Sequence, residues 1–306
     1  MSAYFTIIGL IAAGWALARL SILPETTPDV LNRFVITLCL PAVILIHVPT
    51  LESSWQLVPL VLIPWLLLAA TVVVVLGLSR WLVLRRDVTA SLLVLIPLGN
   101  TSFLGFPLVE ALLGAEAIRL AVVYDQFGSF LIVCTHVLFV VGWYGEGENP
   151  NWRSMGQKIV SFPPFLALMF ALLFGNVWMP NELMTLTERF ADMLLPLVTI
   201  AIGLGLQLRL VTDYRRGLMI GLIGKLLALP ALAVMLARAM GAQGDIAVVA
   251  VLESAMPPMI TAAALLASAR LAPALGSALV AWGVVISAIT VPAWLWVASL
   301  VFGVTG

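Results

Sequence analysis

Residues 97 to 107 read Pro97-Leu98-Gly99-Asn100-Thr101-Ser102-Phe103-Leu104-Gly105-Phe106-Pro107, and they stand near the middle of an apolar stretch running from residue 88 to 113. A stretch of that length spans a bilayer, which takes about 20 residues as a helix. Proline removes a backbone donor and clashes with the carbonyl four residues back, while glycine tolerates unwound angles, so the cluster breaks the helix at mid-depth. Open backbone groups in hydrocarbon cost several kcal/mol each, so such a break persists only where it lines a cavity or is buried in protein. A second cluster of the same kind, Glu253-Ser254-Ala255-Met256-Pro257-Pro258-Met259-Ile260-Thr261, interrupts the stretch from 244 to 269. Paired interruptions in corresponding helices of two halves point to a transporter's substrate site. The candidate substrate-binding residues are Asn100, Thr101 and Ser102 on one side and Ser254, Met256 and Thr261 on the other. Pro97, Gly99, Gly105, Pro107, Pro257 and Pro258 are the helix-breaking residues. The start of each half-helix presents unpaired N–H groups and about half a unit of positive charge, which favours a carboxylate. Asn100 is the first candidate among them, because its amide both donates and accepts. The structural alternative is a pair of proline kinks that serve packing.

The rest of the chain supports a membrane setting. Of 306 residues 62% are hydrophobic and 10% charged, with a mean hydropathy of +1.14, against about 25% charged in a soluble domain. Net charge is zero and no run of Lys or Arg exceeds two residues, which excludes nucleic acid as a partner. Cys39 and Cys134 sit inside apolar runs, so no secreted disulfide framework is present. The first apolar stretch has no basic leader or small-residue cleavage site and reads as a helix. Long apolar runs without alternation mean helices rather than barrel strands. Ten spans result, at 3 to 20, 29 to 51, 56 to 82, 88 to 113, 116 to 144, 158 to 179, 183 to 208, 214 to 239, 244 to 269 and 273 to 303. With the N-terminus outside, the inner loops hold ten cations: Arg19, Arg80, Arg85, Arg86, Arg153, Lys158, Arg209, Arg215, Arg216 and Arg270. The outer side holds three, Arg119, Arg189 and Arg238. Cytoplasmic loops collect Lys and Arg, so both termini are expected on the outer side of a bacterial inner membrane.

Five spans per half would invert the second half against the first. Span 2 reads Leu38-Cys39-Leu40-Pro41 and span 7 reads Met193-Leu194-Leu195-Pro196, each proline seven or eight residues after the arginine of an Arg-Phe pair (Arg33-Phe34 and Arg189-Phe190). Span 3 reads LIPWLLLAA from Leu62 and span 8 LIGKLLALPA from Leu222. The expected organisation is therefore a five-helix repeat over 1 to 144, a short cytoplasmic loop over 145 to 157 and a second repeat over 158 to 306.

The run GNTSFLGFPLVEALLG from Gly99 to Gly114, SAMPPMITAAALLA from Ser254 to Ala267 and FVITLCLPAVIL in span 2 resemble the auxin efflux carrier family, in its bacterial branch. The resemblance covers essentially the whole chain. It implies ten helices in two inverted repeats, spans 4 and 9 unwound and crossing at the centre, a scaffold bundle and a transport bundle, homodimers, and the fold of the bile-acid/sodium symporters. It also implies an auxin-like anion, or a mono- or dicarboxylate such as malonate or malate, as substrate. The chain lacks the long loop between spans 5 and 6 of the plant members, which argues against auxin itself.

Three charges approach the midplane. Asp125 lies nine residues, about 14 Å, past Glu116; Lys225 lies equally far past Arg216; and Glu253 lies about 12 Å past Asp245. An ionisable group there costs at least about 2.5 kcal/mol and so faces the protein interior with a partner or a function. Either Asp125 and Lys225 form a structural pair, or Lys225 compensates an anionic substrate while Asp125 or Glu253 takes up a proton or a cation such as sodium. Arg33 and Asp192 lie nearer span ends and read as structural. His47 and His136 have no second ligand at metal spacing in their spans, and no metal or cofactor is expected. No nucleotide-binding loop occurs, so gradients must supply the energy. A secondary transporter for a small organic anion is the leading reading; a sensor or channel on the same fold, or an intramembrane enzyme, are the alternatives.

Overall fold

A computed structural model describes residues 2–50, 54–145, 157, 160–174, 180–208 and 211–303. They are almost wholly helical, with no strand among them beyond one isolated bridge. The helices are α1 (Ser2–Arg19), α2 (Thr27–His47), α3 (Trp55–Trp81), α4 (Arg86–Leu95), α5 (Thr101–Leu113), α6 (Ala115–Tyr144), α7 (Pro163–Phe174), α8 (Asn181–Asp192), α9 (Leu194–Leu204), α10 (Thr212–Ala239), α11 (Gly244–Ala255), α12 (Ile260–Ser268) and α13 (Pro273–Phe302). Five of them, α2, α3, α6, α10 and α13, are long and apolar enough to cross a membrane unbroken. The stretches around 97 to 107 and 253 to 261 are interrupted: α4 stops at Leu95 before α5 starts at Thr101, and α11 stops at Ala255 before α12 starts at Ile260. Most of the 145 to 157 loop, with Arg153, and also Lys158 and Arg209 lie outside the described residues.

The chain forms two compact units, and neither is a half of the sequence. The first comprises residues 1–53, 102–122 and 158–206; the second comprises 54–101, 123–157 and 207–306. In the first, α1 packs on α9 through two glycines. A Cβ on Gly203 would come within 2.8 Å of the Trp15 backbone nitrogen, and one on Gly14 within 3.1 Å of the Gly203 Cα, so the backbones meet directly, as small residues permit in membrane helices. α2 packs on α7 and α8, with the rings of Phe34 and Phe190 6.3 Å apart.

In the second unit α11 packs on α3, α10 and α13 and is buried from Ala247 to Ala255. Several helices here are underwound into π-type turns, at Asp125–Phe130, Val133–Val137 and Gly224–Ala228, and a further one, Thr101–Gly105, starts at the last residue of this unit's segment 54–101. Such turns are rare and collect at functional sites. A proline in a helix leaves the carbonyl four residues back without its usual donor, and side chains of other helices take two of these carbonyls. Pro230 frees the carbonyl of Leu226, which accepts from Trp294 Nε1 at 2.8 Å; Pro97 frees that of Leu93, which accepts from His136 Nε2 at 3.0 Å.

Candidate functional site

The two interruptions meet inside the second unit. Gly99 and Pro258 form an antiparallel bridge, the Asn100 amide N–H donates to the Pro257 carbonyl at 2.8 Å, and the Met259 N–H donates to the Leu98 carbonyl at 3.2 Å. Backbone groups that would stand open in hydrocarbon thus satisfy one another. The approach is close. A Cβ on Gly99 would stand 3.0 Å from the Glu253 carbonyl oxygen, 3.2 Å from the Met256 Cβ and 3.2 Å from Lys225 Nζ. Pro258 frees the Ser254 carbonyl, and the Lys225 ammonium donates to it at 3.0 Å. A charged donor therefore closes the end of α11 where the sequence offers no N–H.

Around this junction the polar residues are buried. Asn100, Thr101, Asp125, Gln126, Lys225, Glu253 and Ser254 are each at most 3% exposed. The Asp125 carboxylate accepts from the Thr101 hydroxyl and, on its other oxygen, from the Gln126 side-chain amide at 2.7 Å. Lys225 has a carbonyl and Asp125 a hydroxyl and an amide, so each has a partner apart from the other. Glu253 differs. It is 0% exposed, both of its oxygens lack a hydrogen-bond partner, and it lies in electrostatic range of Lys225, Asp125 and Tyr124. The Asn100 Nδ2 and the Gln126 Oε1 are likewise buried without partners. A donor, an acceptor pair and an ammonium group thus share one desolvated region, where a small charged or polar ligand meets strong interactions.

Ser254 is buried, but its hydroxyl donates to the Val251 carbonyl at 2.7 Å. Met256 is buried and Thr261 is half-buried in the first turn of α12. Ser102, Gly105 and Pro107 belong to the first unit. Gln126 is the residue sequence reading missed, and its signal was available: an amide next to Asp125 in an otherwise apolar span. His136 serves the Leu93 carbonyl, and no group of three metal-ligating side chains occurs among the described residues. The first unit has its own open cavity of about 510 Å³, lined by His47, Phe106, Pro107, Glu110, Glu188 and Asp192 among others. Asp192, read from sequence as structural, thus stands on a cavity wall.

A family model described as "Membrane transport protein" matches residues 1–295. Among curated proteins the chain is 27% identical over 300 residues to an uncharacterized transporter of Methanothermobacter thermautotrophicus, covering 94% of this chain and 95% of that one. It is 23% identical over 271 residues to an uncharacterized transporter of Methanocaldococcus jannaschii, covering 84% and 85%.

Proposed function

The chain belongs to the membrane transport protein family, the auxin efflux carriers, and on that premise we propose that it is a secondary transporter that moves a small organic anion by alternating access of the elevator type. The observation that carries the reading is the junction at Gly99 and Pro258, with the free Asn100 amide and the Lys225 ammonium beside it. An entering carboxylate takes the Asn100 donor and is balanced by Lys225, and Thr101, Ser254, Met256 and Thr261 complete its surroundings. Glu253 has acceptor capacity open for a coupling proton or sodium ion, whereas Asp125 already accepts from Thr101 and Gln126.

The same reading includes ten spans in two inverted repeats, 1 to 144 and 158 to 306, in the bacterial inner membrane with both termini outside, assembled as a homodimer. Contact between Phe34 and Phe190, one from each Arg-Phe pair, supports the repeat, because equivalent residues of inverted copies meet near the axis that relates them. The composition of the units supports it too, since each takes segments from both halves. The test is transport into proteoliposomes of purified protein with a panel of labelled mono- and dicarboxylates. Saturable uptake with counterflow is expected for at least one; single-channel current, or no flux with any carboxylate, sinks the proposal.

A further inference from the structure

One end of the second unit concentrates positive charge. Arg80, Arg85, Arg86, Arg215, Arg216 and Arg270 are all exposed there, against Asp87 and Asp213. Contacts of Arg85, Arg86 and Gly145 draw most of these arginines onto one surface. The Arg85 guanidinium lies 5.1 Å from the centre of the Tyr214 ring, next to Arg215 and Arg216, and pairs with Asp87 at 2.7 Å. Arg86 lies 5.5 Å from the centre of the Tyr144 ring and donates to the Trp143 carbonyl at 2.6 Å. Gly145, the next residue, faces Ala269, so Arg270 joins the same edge. The opposite end, some 42 Å away along the 28 residues of α10, has Arg238 and Asp245 in balance.

The surroundings separate this patch from an ordinary solvated surface. Trp81 is 79% exposed and Trp143 65%, and Met219 lies open one turn beyond Arg215. Exposed indole rings beside cations mark the level of lipid headgroups, where the ring enters the interface and the charge meets phosphate. Arg85 and Arg86 are held by ring stacking and hydrogen bonds, so little rotamer freedom is lost when an oxyanion binds.

We propose that this arginine-bearing end is a docking surface for the headgroups of anionic phospholipids. Arg215 and Arg216 meet the phosphodiester, Arg80 and Arg86 flank it, and Trp81 and Trp143 rest in the glycerol region. A soluble phosphate would engage the guanidinium groups but leave the two indoles exposed, so the lipid is the better fit. The surface lies outside the junction at Gly99 and does not depend on which solute is carried.

The test uses the thermal midpoint of the purified full-length protein in neutral detergent, with added phosphatidylglycerol, phosphatidylcholine or inorganic phosphate. Phosphatidylglycerol should raise the midpoint well above phosphatidylcholine at equal concentration, and the difference should shrink as salt rises. Arg215→Gln/Arg216→Gln should remove at least half of that difference while keeping the midpoint in phosphatidylcholine, and Arg215→Lys/Arg216→Lys should retain most of it. Should the glutamine pair fail to fold, Arg80→Gln/Arg216→Gln gives the same reading. Equal midpoints in the two lipids, a full difference in the glutamine variant, or an equal rise with inorganic phosphate alone overturns the proposal.

Discussion

Asn100 has its two amides in different states. Its backbone N–H is fixed on Pro257, while its side-chain Nδ2 is buried with nothing to donate to. A buried donor without a partner costs about 1 to 3 kcal/mol, a cost recovered when a ligand accepts from it. Asn100→Leu keeps the approximate volume and the backbone bond and removes the unpaired donor, so it should fold with a midpoint at or above that of wild type while substrate affinity falls by a factor of roughly 5 to 150. Calorimetry on the folded variant checks this, with Leu173→Ala on an exposed face as the control. Affinity equal to wild type removes Asn100 from the site. Lys225 carries two roles that separate in the same way. Lys225→Ala strands the Ser254 carbonyl, a stability cost of about 1 to 3 kcal/mol, and it also removes the cation beside the junction, so uptake of an anion should fall far more than the midpoint does. Asp125 accepts from Thr101 and Gln126, so adding Asp125→Asn should not restore stability. A rescued double variant would establish the structural pair instead and take Lys225 out of the substrate's path.

At the scale of elements, prolines set the breaks and distant side chains repair them. The carbonyls freed by Pro258, Pro97 and Pro230 are taken by Lys225, His136 and Trp294, which stand 29, 43 and 68 residues from their acceptors. His136→Phe preserves a ring of similar size but leaves the Leu93 carbonyl bare next to the break, and should lower stability by about 1 to 3 kcal/mol without changing substrate affinity. Thermal unfolding with a parallel binding measurement separates the two effects; an unaltered midpoint would mean that the helix finds another donor. The same distances separate what is legible in the sequence from what is not. Both interruptions were readable from Pro97, Gly99, Pro257 and Pro258, because proline and glycine act within four residues along the chain. That Asn100 meets Pro257 was implied only by the family resemblance, and that Lys225 answers Ser254 was not readable at all. Tertiary partners of a freed carbonyl are chosen by packing, and a Leu-rich helix gives few cues to its neighbours. Gln126 escaped notice for a different reason: a neutral amide carries no membrane cost as conspicuous as the charge of Asp125 next to it.

At the scale of the whole molecule, the division into halves and the division into compact units answer different questions. The halves are those of the proposed repeat, whereas the units gather α1, α2, α7, α8 and α9 in one body and α3, α4, α10, α11, α12 and α13 in the other. The polar junction falls entirely in the second, the unit that the proposed elevator mechanism makes the carrier of the substrate. The proposed orientation rests on charge. The six exposed arginines at one end of the second unit all belong to loops counted as inner, and Arg238 at the other end to a loop counted as outer. Ten loop cations against three form a bias of the kind that retains loops in the cytoplasm, because moving each positive charge across opposes the membrane potential. On the proposed ten-span topology the chain ends on the side where it starts, opposite the loops counted as inner. Alkaline phosphatase fused after Gly306 should therefore be active and a fluorescent protein at the same point dark, while a fusion within the 146–156 loop should give the reverse pair. An active phosphatase in that loop with a dark C-terminal one would invert the orientation, and activity at both positions would mean an even number of spans between the loop and the C-terminal fusion and the loss of the five-plus-five repeat.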